Sequence, residues 1–233
     1  MTAPPTAIPC TLDAAPLAPL LQRLHAEARG DIWHFLRGAP GFAMGWARGG
    51  SQAAFDALAP HLRNAYIPVS PDAGRFLYLV ARAIGARTIV EFGTSFGLST
   101  LYFAAAVRDN GGGRVIGTEM EPTKHARAIV HLREAGLDDV TEVRLGDALE
   151  TLKRDLPAPV DLVLLDGWKD LYTPVLDLLA PHLRPGAVVL ADNVRTFKKT
   201  LAPFVKRLRS GAIGFRSVTL PFTSGLELGV KLG

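Results

Sequence analysis

Short apolar runs alternate with helical windows along the chain after Pro71. Five runs rich in Val, Ile and Leu predict strands at Thr88–Phe92, Arg114–Thr118, Val140–Leu145, Leu162–Leu165 and Ala187–Leu190. The windows between them have apolar residues at helical spacing. They predict helices over Ser99–Val107, Thr123–Glu134, Leu149–Leu156 and Leu171–Leu183, after a first helix that Gly85 ends. Strands separated by helices pair in parallel with both faces covered, so the pattern predicts a doubly wound α/β sheet.

The C-terminal pattern predicts a hairpin. A helix near Leu201–Leu208 precedes two further strands, Phe215–Leu220 and Leu226–Leu232. The segment from Pro221 to Gly225 that joins them is so short that only an antiparallel pair is possible.

The N-terminal region has a different pattern. Residues 1–20 carry five prolines without periodicity, which predicts a mobile arm or an irregular cap. Apolar spacing predicts helices over Leu20–Ala28 and Gln52–Leu62. The glycine-interrupted segment Gly41–Trp46 between them is either a packed connection or part of a substrate lid. We expect residues 1–66 to form a cap or a dimer contact and not an independent domain.

Composition narrows the class of protein. With 233 residues, 48% hydrophobic and 21% charged, the chain is neither disordered nor collagen-like. No run of apolar residues is long enough for a transmembrane helix, and no signal peptide is visible, so we expect a soluble cytoplasmic protein without a membrane partner. The single cysteine, Cys10, excludes an internal disulfide and a structural zinc site.

The net charge of +4 is compatible with an anionic partner such as nucleic acid, or with solvated helix faces rich in arginine. The densest basic segment, Lys198–Arg209, is accompanied only by Phe197 and Phe204 as aromatic residues. A base-stacking surface needs more aromatic side chains than that. The composition therefore favours the solvated interpretation.

Ligands of such sheets bind beyond the carboxyl ends of the strands. After the first strand, Gly93 and Gly97 permit either a close backbone approach to a ligand or a plain tight turn, and Ser99 then opens a helix. Glu119, at the end of the second strand, suits the two hydroxyls of a ribose or is a solvated residue before a helix. Asp147, after the third strand, either caps the next helix or accepts a hydrogen bond from an adenine amino group.

The fourth and fifth predicted strands end in acidic residues. Asp166 and Lys169 follow the fourth strand, and Asp192 and Asn193 follow the fifth. If the two strands are neighbours, both carboxylates leave the same edge of the sheet, about 4.8 Å apart laterally. An all-oxygen set of Asp166, Asp192 and the Asn193 amide suits Mg²⁺. The alternative is two ordinary strand-end aspartates and a solvated lysine.

At these residues the chain resembles the class I S-adenosylmethionine (SAM)-dependent O-methyltransferases, in the metal-dependent group typified by the catechol and caffeoyl-CoA enzymes. The most specific segments are Leu165–Tyr172 and Leu190–Val194. The resemblance runs from about Ile67 to Asn193, with an echo in Gly225–Glu227. It implies a Rossmann-like, seven-stranded sheet of order 3-2-1-4-5-7-6 with an antiparallel last strand, in a methyltransferase domain over residues 67–233.

The resemblance also implies a SAM site. Val69 and Ser99 would hold the methionine carboxylate, with Glu91 and Gly93 beneath the methionine portion. Glu119 would take the ribose hydroxyls. The residues that would border the adenine are Met120, Ala148 and Trp168.

For the chemistry, the resemblance implies that Asp166, Asp192 and Asn193 bind Mg²⁺. Lys169 would take the proton from the attacking hydroxyl of the acceptor. A metal lowers the pKa of a hydroxyl that coordinates it, which suits phenols because they are poor nucleophiles near neutral pH.

One position departs from the family pattern. The catechol enzyme has a glutamate before its final hairpin that binds the second substrate hydroxyl, whereas Val218 or Thr219 stands there in this chain. This departure counts against catechol itself as the acceptor. We expect a small hydroxylated acceptor, an aromatic vicinal diol. The resemblance and the apolar N-terminal third also predict a homodimer.

Two other functions compete with this expectation. The first is nucleic-acid methylation, although amino-methylating enzymes of that kind have an Asn/Asp-Pro-Pro-Tyr/Phe motif where Asp166–Lys169 stands. The second is a cofactor-binding module without catalysis, against which Asp166, Lys169, Asp192 and Asn193 argue.

Overall fold

The computed structural model describes residues 10–30, 40–41, 43–45, 47–48, 69–222 and 224–233. The predicted helix Gln52–Leu62, and Phe42 and Trp46 of the predicted lid segment, lie outside these residues. The strands are β1 (Thr88–Phe92), β2 (Arg114–Glu119), β3 (Thr141–Leu145), β4 (Val160–Leu165), β5 (Leu183–Ala191), β6 (Phe215–Leu220) and β7 (Leu226–Lys231). The helices are α1 (Leu17–Gly30), α2 (Pro71–Ala83), α3 (Leu98–Asp109), α4 (Pro122–Glu134), α5 (Ala148–Thr151), α6 (Tyr172–Leu179) and α7 (Lys198–Ser210).

Seven strands form one sheet in the order β3-β2-β1-β4-β5-β7-β6. The first five strands pair in parallel, and β7 runs antiparallel to both β5 and β6. The sequence prediction of the fold and of the final hairpin is therefore confirmed.

Both faces of the sheet are covered, which explains why its central strands read as continuous apolar runs. Along β1, Ile89 packs into one hydrophobic cluster with residues of α1, α2 and α3, while Val90 packs into a second cluster with residues of α6 and α7. Along β4, Leu164 and Leu165 divide between the same two clusters. Successive side chains of a strand point to opposite faces, so a strand between two helical layers needs apolar residues on both faces, at most of its positions. Within the described residues, no helix is long and apolar enough to span a membrane.

The N-terminal segment is more regular than predicted. Helix α1 begins at Leu17, and Leu17, Leu20 and Leu24 on its inner face are buried. The backbone N–H of Thr11 also donates to the carboxylate of Asp109 at the end of α3. The prediction of an irregular arm is thus wrong from Leu17 onward. The prolines made the helical spacing of the leucines hard to recognise in the sequence. In the structure these leucines pack against α3, and this contact stabilises the helix.

The predicted helix over Leu149–Leu156 is also wrong in length, since α5 ends at Thr151. Arg144 on β3 donates to the carbonyl oxygens of Thr151, Arg154 and Asp155 at 2.7, 2.6 and 3.2 Å. A side chain from outside therefore satisfies these carbonyls, and the segment turns without further helical hydrogen bonds.

Asp161 joins three strands at the edge of the sheet opposite the predicted site. Its carboxylate accepts hydrogen bonds from the backbone N–H groups of Arg87 and Thr88, both at 2.8 Å, and from Nε of Arg184 at 2.6 Å. Burial alone would raise the pKa of Asp161, but these three donors outweigh burial and lower it.

We expect Asp161→Asn to lower the free energy of unfolding by about 2–3 kcal/mol near pH 7, because a neutral amide leaves one buried donor without an acceptor. The folded protein binds the Asp161 proton less tightly than the unfolded chain does. The stability from this carboxylate is therefore present above its ordinary pKa of about 3.9 and is lost as the pH falls through its folded value. Urea unfolding across an acidic pH series measures both effects, with the exposed Asp72→Asn as control. Equal curves for the two variants would contradict the assignment.

Candidate active site

The strand register brings the predicted site residues to one edge of the sheet. Phe92 of β1 pairs with Thr118 of β2 and Leu165 of β4, and Leu165 pairs with Ala191 of β5. The residues that follow these four positions leave the sheet side by side. The strand order also reverses about β1, which is where open α/β sheets bind ligands.

The loop between β1 and α3 is a tight turn that requires glycine. Gly93 has φ +99°, and a Cβ there would lie 2.7 Å from the backbone carbonyl group of Asp166. Gly97 has φ +87°, donates its N–H to Thr94 and lies against Ala128 of α4. The tight-turn interpretation of the glycines is confirmed, and close approach to the end of β4 is what demands glycine at position 93.

Helix α4 supports this loop from outside. The ring of Phe96 lies 5.6 Å from the Lys124 ammonium and 5.6 Å from the Arg127 guanidinium. Nδ1 of His131 is hydrogen-bonded to the Phe96 carbonyl at 2.9 Å. Burial lowers the pKa of His131, which favours the neutral imidazole. The sequence analysis missed these supports, because no spacing rule connects α4 to a loop about thirty residues earlier.

Glu91 is a fully buried carboxyl group beneath the loop. The hydroxyls of Thr94 and Thr100 donate to its Oε2 at 2.9 and 2.5 Å. Its Oε1 has no hydrogen-bond partner among the described residues. Burial raises the pKa of Glu91 against the opposing effect of the hydroxyls of Ser99, Thr100 and Thr94.

Glu119 closes the same loop from the end of β2. It accepts the backbone N–H of Ser95 at 2.7 Å on one oxygen and that of Glu121 at 2.8 Å on the other. The interpretation of Glu119 as a merely solvated residue is therefore wrong. A carboxylate has about four acceptor positions, so two hydrogen bonds leave capacity for the two hydroxyls of a ribose.

The residues predicted around the adenine differ in exposure. Met120 and Trp168 are 56% and 42% exposed, and Ala148 is buried. Asp147 caps α5 by accepting the N–H of Leu149 at 2.8 Å. The capping interpretation of Asp147 is thus confirmed, while its contact with an adenine stays a prediction. Val69 and Ser99, predicted at the methionine carboxylate, are half-buried and buried respectively.

Asp166 and Asp192 leave adjacent strands, as the sequence analysis required. Burial raises the pKa of Asp166 to about 7, the Lys169 ammonium opposes this rise, and the carboxylates of Asp192 and Glu91 add to it. Such a site gains from a cation that neutralises its like charges. Within the described residues, no group of three or more His, Cys, Asp and Glu side chains is arranged so that it could hold a metal ion, so a metal here would also need other oxygen donors.

The donors at this edge are oxygen atoms, which fit Mg²⁺. Asp192 accepts hydrogen bonds from Oγ of Ser224 at 2.6 Å and from Nδ2 of Asn193 at 3.0 Å. Asn193 has φ +65°, a conformation that asparagine tolerates. In the structure, Asn193 therefore contacts Asp192 as a hydrogen-bond donor. That the amide oxygen of Asn193 binds a metal stays a prediction. Ser224 was missed, because it lies on a distant loop.

Lys169 is buried, with 5% of its surface exposed. Its Nζ donates to Oδ1 of Asp166 at 3.4 Å and to the Tyr172 hydroxyl at 3.0 Å. The same nitrogen lies 5.2 Å from the Tyr172 ring and 5.6 Å from the Phe197 ring. The alternative of a solvated loop lysine is therefore wrong.

Val218 and Thr219, which stand where the catechol enzyme has its glutamate, do not offer a ligand to the site. Val218 is exposed on the edge strand β6, and the Thr219 hydroxyl donates to Glu227. Glu227 itself is fully buried and also accepts hydrogen bonds from Arg209 and Ser217. No carboxylate of β6 or β7 is thereby offered to the site.

Comparisons with known proteins agree with this fold. A family described as a methyltransferase domain matches residues 90–194, from β1 to just beyond β5. The catechol O-methyltransferase of Mycobacterium tuberculosis is 41% identical over 129 residues, which cover 55% of this chain and 57% of that protein. The chain thus spans less than two thirds of the length of this curated relative.

Solved structures match more of the chain. The O-methyltransferase TomG from Streptomyces achromogenes, solved in complex with SAM, is 30% identical with a TM-score of 0.64, over 72% of this chain and 82% of that one. An O-methyltransferase from Bacillus cereus, solved in complex with S-adenosylhomocysteine (SAH), is 28% identical with a TM-score of 0.65. The match covers 70% of this chain and 82% of that one. With the strand order described above, these matches show that the chain belongs to the class I SAM-dependent O-methyltransferases.

Proposed function

We propose that the protein transfers a methyl group from SAM to one hydroxyl of a small aromatic vicinal diol, with the help of Mg²⁺. The observation that carries the proposal is the buried Lys169 amine. It lies 3.4 Å from Asp166, at the edge of the sheet where Asp192 directly follows β5. A base and two carboxylates at one strand edge are what a metal-assisted transfer to a hydroxyl requires.

Residues of the first two strands would bind SAM. Ser99 and Val69 would contact the methionine carboxylate at the start of α3, and Glu119 would accept the ribose hydroxyls. The turn from Gly93 to Gly97 is braced by Glu119 and by α4, so contacts within the protein hold this loop in shape. Such preorganisation lowers the entropic cost of binding.

Asp166, Asp192 and Asn193 would hold Mg²⁺. When bound, the ion lowers the pKa of a hydroxyl that coordinates it. Lys169 would then accept the hydroxyl proton as the oxygen attacks the SAM methyl group, whose bond to sulfur breaks so that S-adenosylhomocysteine leaves. Because transfer is an in-line displacement, the remaining contribution of the protein is to align the two reactants.

The nucleic-acid alternative has less support. Two arginines of the basic helix α7 are engaged in ion pairs, Arg207 with Asp177 and Arg209 with Glu227. These pairs reduce the positive charge that α7 offers to a phosphate backbone. The homodimer and the cytoplasmic location stay predictions from the sequence.

We expect methyl transfer from isotopically labelled SAM to vicinal diols such as hydroxycinnamates and flavonoids, measured by mass spectrometry, and its loss after EDTA treatment and gel filtration. A matched monohydroxy compound should react at least about tenfold more slowly, because it cannot chelate the metal. Transfer to tRNA instead would favour the nucleic-acid alternative. SAM binding without transfer to any acceptor would favour the non-catalytic module.

A further inference from the structure

The hydroxyl of Tyr172 connects the proposed base to the strand that carries Asp192. Tyr172 is fully buried at the start of α6. Its ring packs edge-on against the rings of Phe92 and Phe204, with centroid-to-centroid distances of 6.4 and 5.7 Å. Its hydroxyl accepts a hydrogen bond from Lys169 Nζ at 3.0 Å and donates one to the Asp192 carbonyl oxygen at 3.1 Å. The ring therefore packs in the core, whereas the hydroxyl is hydrogen-bonded to residues of the candidate site.

The direction of these two hydrogen bonds follows from the atoms. A hydroxyl has one proton, and a carbonyl oxygen can only accept, so the proton of Tyr172 points to Asp192. The lone pairs of the hydroxyl oxygen therefore face Lys169, and Lys169 is the donor. The bond to the Asp192 backbone thus orients the hydroxyl as an acceptor for the amine.

The amine of Lys169 is held at two points. Its Nζ donates to the Tyr172 hydroxyl at 3.0 Å and to Oδ1 of Asp166 at 3.4 Å. The shorter contact is the one to Tyr172, and the hydrogen bond from Tyr172 to the Asp192 carbonyl oxygen fixes the place of that hydroxyl.

We propose that Tyr172 is a positioning residue whose hydroxyl holds the Lys169 amine at the strand edge where the acceptor hydroxyl would bind. The inference rests on the proposed function, since it assumes that Lys169 is the base. It predicts that the hydroxyl of Tyr172 acts only through Lys169, while the ring acts through packing. Removing the hydroxyl alone separates the two contributions.

Tyr172→Phe is the test, since it keeps the ring and removes only the hydroxyl. We expect kcat to fall about tenfold to thirtyfold, the loss typical of one buried hydrogen bond, with the KM of the acceptor and the Kd of S-adenosylhomocysteine within about twofold of wild type. Tyr78→Phe is the matched control, because it removes another buried hydroxyl, one that donates to Asp109 at 2.7 Å. It should leave kcat unchanged.

A double-mutant cycle separates positioning from structural support. In the Lys169→Met background, Tyr172→Phe should have no further effect on kcat, because the base is already absent. An equal additional loss in that background would overturn the inference. So would a wild-type kcat in Tyr172→Phe, or a fall in Mn²⁺ affinity that matches the fall in kcat.

Nitrogen-15 NMR of the lysine side chains tests the contact without turnover. In wild type, the N–H signal of Lys169, assigned by its loss in Lys169→Met, should exchange slowly with water, and Tyr172→Phe should speed this exchange at least about tenfold. Unchanged exchange would overturn the inference while methyl transfer by the wild type still supported the proposed function. A wild type that transfers no methyl group would overturn both, even if the NMR signal showed the hydrogen bond.

Discussion

Replacing Lys169 by methionine is expected to lower kcat by at least about a hundredfold while leaving the affinity for S-adenosylhomocysteine near the wild-type value. General-base catalysis typically contributes 10²- to 10⁴-fold, and methionine removes the amine while retaining an apolar stem of similar length. The amine lies in a buried site, 5.2 and 5.6 Å from the ring centroids of Tyr172 and Phe197, where an apolar methionine is tolerated, so the variant should fold. Rapid-quench kinetics and calorimetric titration measure the two quantities.

Two comparisons make the Lys169 result interpretable. Lys206→Met removes an exposed lysine of α7 and should leave kcat unchanged. Mn²⁺ affinity should not fall in Lys169→Met, since the substitution removes a positive charge 3.4 Å from Asp166. If Lys169→Met retains near-full kcat on the native acceptor, Lys169 is not the base and acidification of the hydroxyl by the metal is sufficient.

Asp192→Asn is expected to reduce Mn²⁺ affinity and methyl transfer by at least about a hundredfold each. One carboxylate charge is lost from a set of two, and Mg²⁺ gives up its hydration water reluctantly, so the remaining ligands compete poorly. The asparagine oxygen can still accept the hydrogen bond from Ser224, so the loop before β7 should keep its place. Electron paramagnetic resonance of added Mn²⁺ measures the affinity directly.

The matched control for this variant is Asp170→Asn, which removes an exposed carboxylate from the turn that carries Lys169. It should change neither metal affinity nor rate by more than about twofold, as expected for a surface position. Full turnover of the wild-type protein after EDTA treatment and gel filtration would show that the metal assignment is wrong, whatever the Asp192 variant does.

The sequence by itself determined the architecture. Strands between two helical layers must be apolar on both faces at most positions, and helices that cover them must be apolar on one face, so both elements leave a readable pattern. The parallel pairing then places strand ends at one edge, which is why Glu119, Asp166 and Asp192 could be assigned to one site from their positions alone.

Only the tertiary structure decided how the site residues are held. Lys169 has the sequence surroundings of a loop lysine, yet Phe197 and Tyr172 bury it. Ser224 reaches Asp192, and His131 holds the loop after β1, across 32 and 35 positions of chain. Hydrogen bonds of this kind depend on which backbone segments meet in space, and local periodicity carries no information about that. The sequence therefore specified which residues arrive at the strand edge, while packing determined their burial, their partners and the direction in which they point.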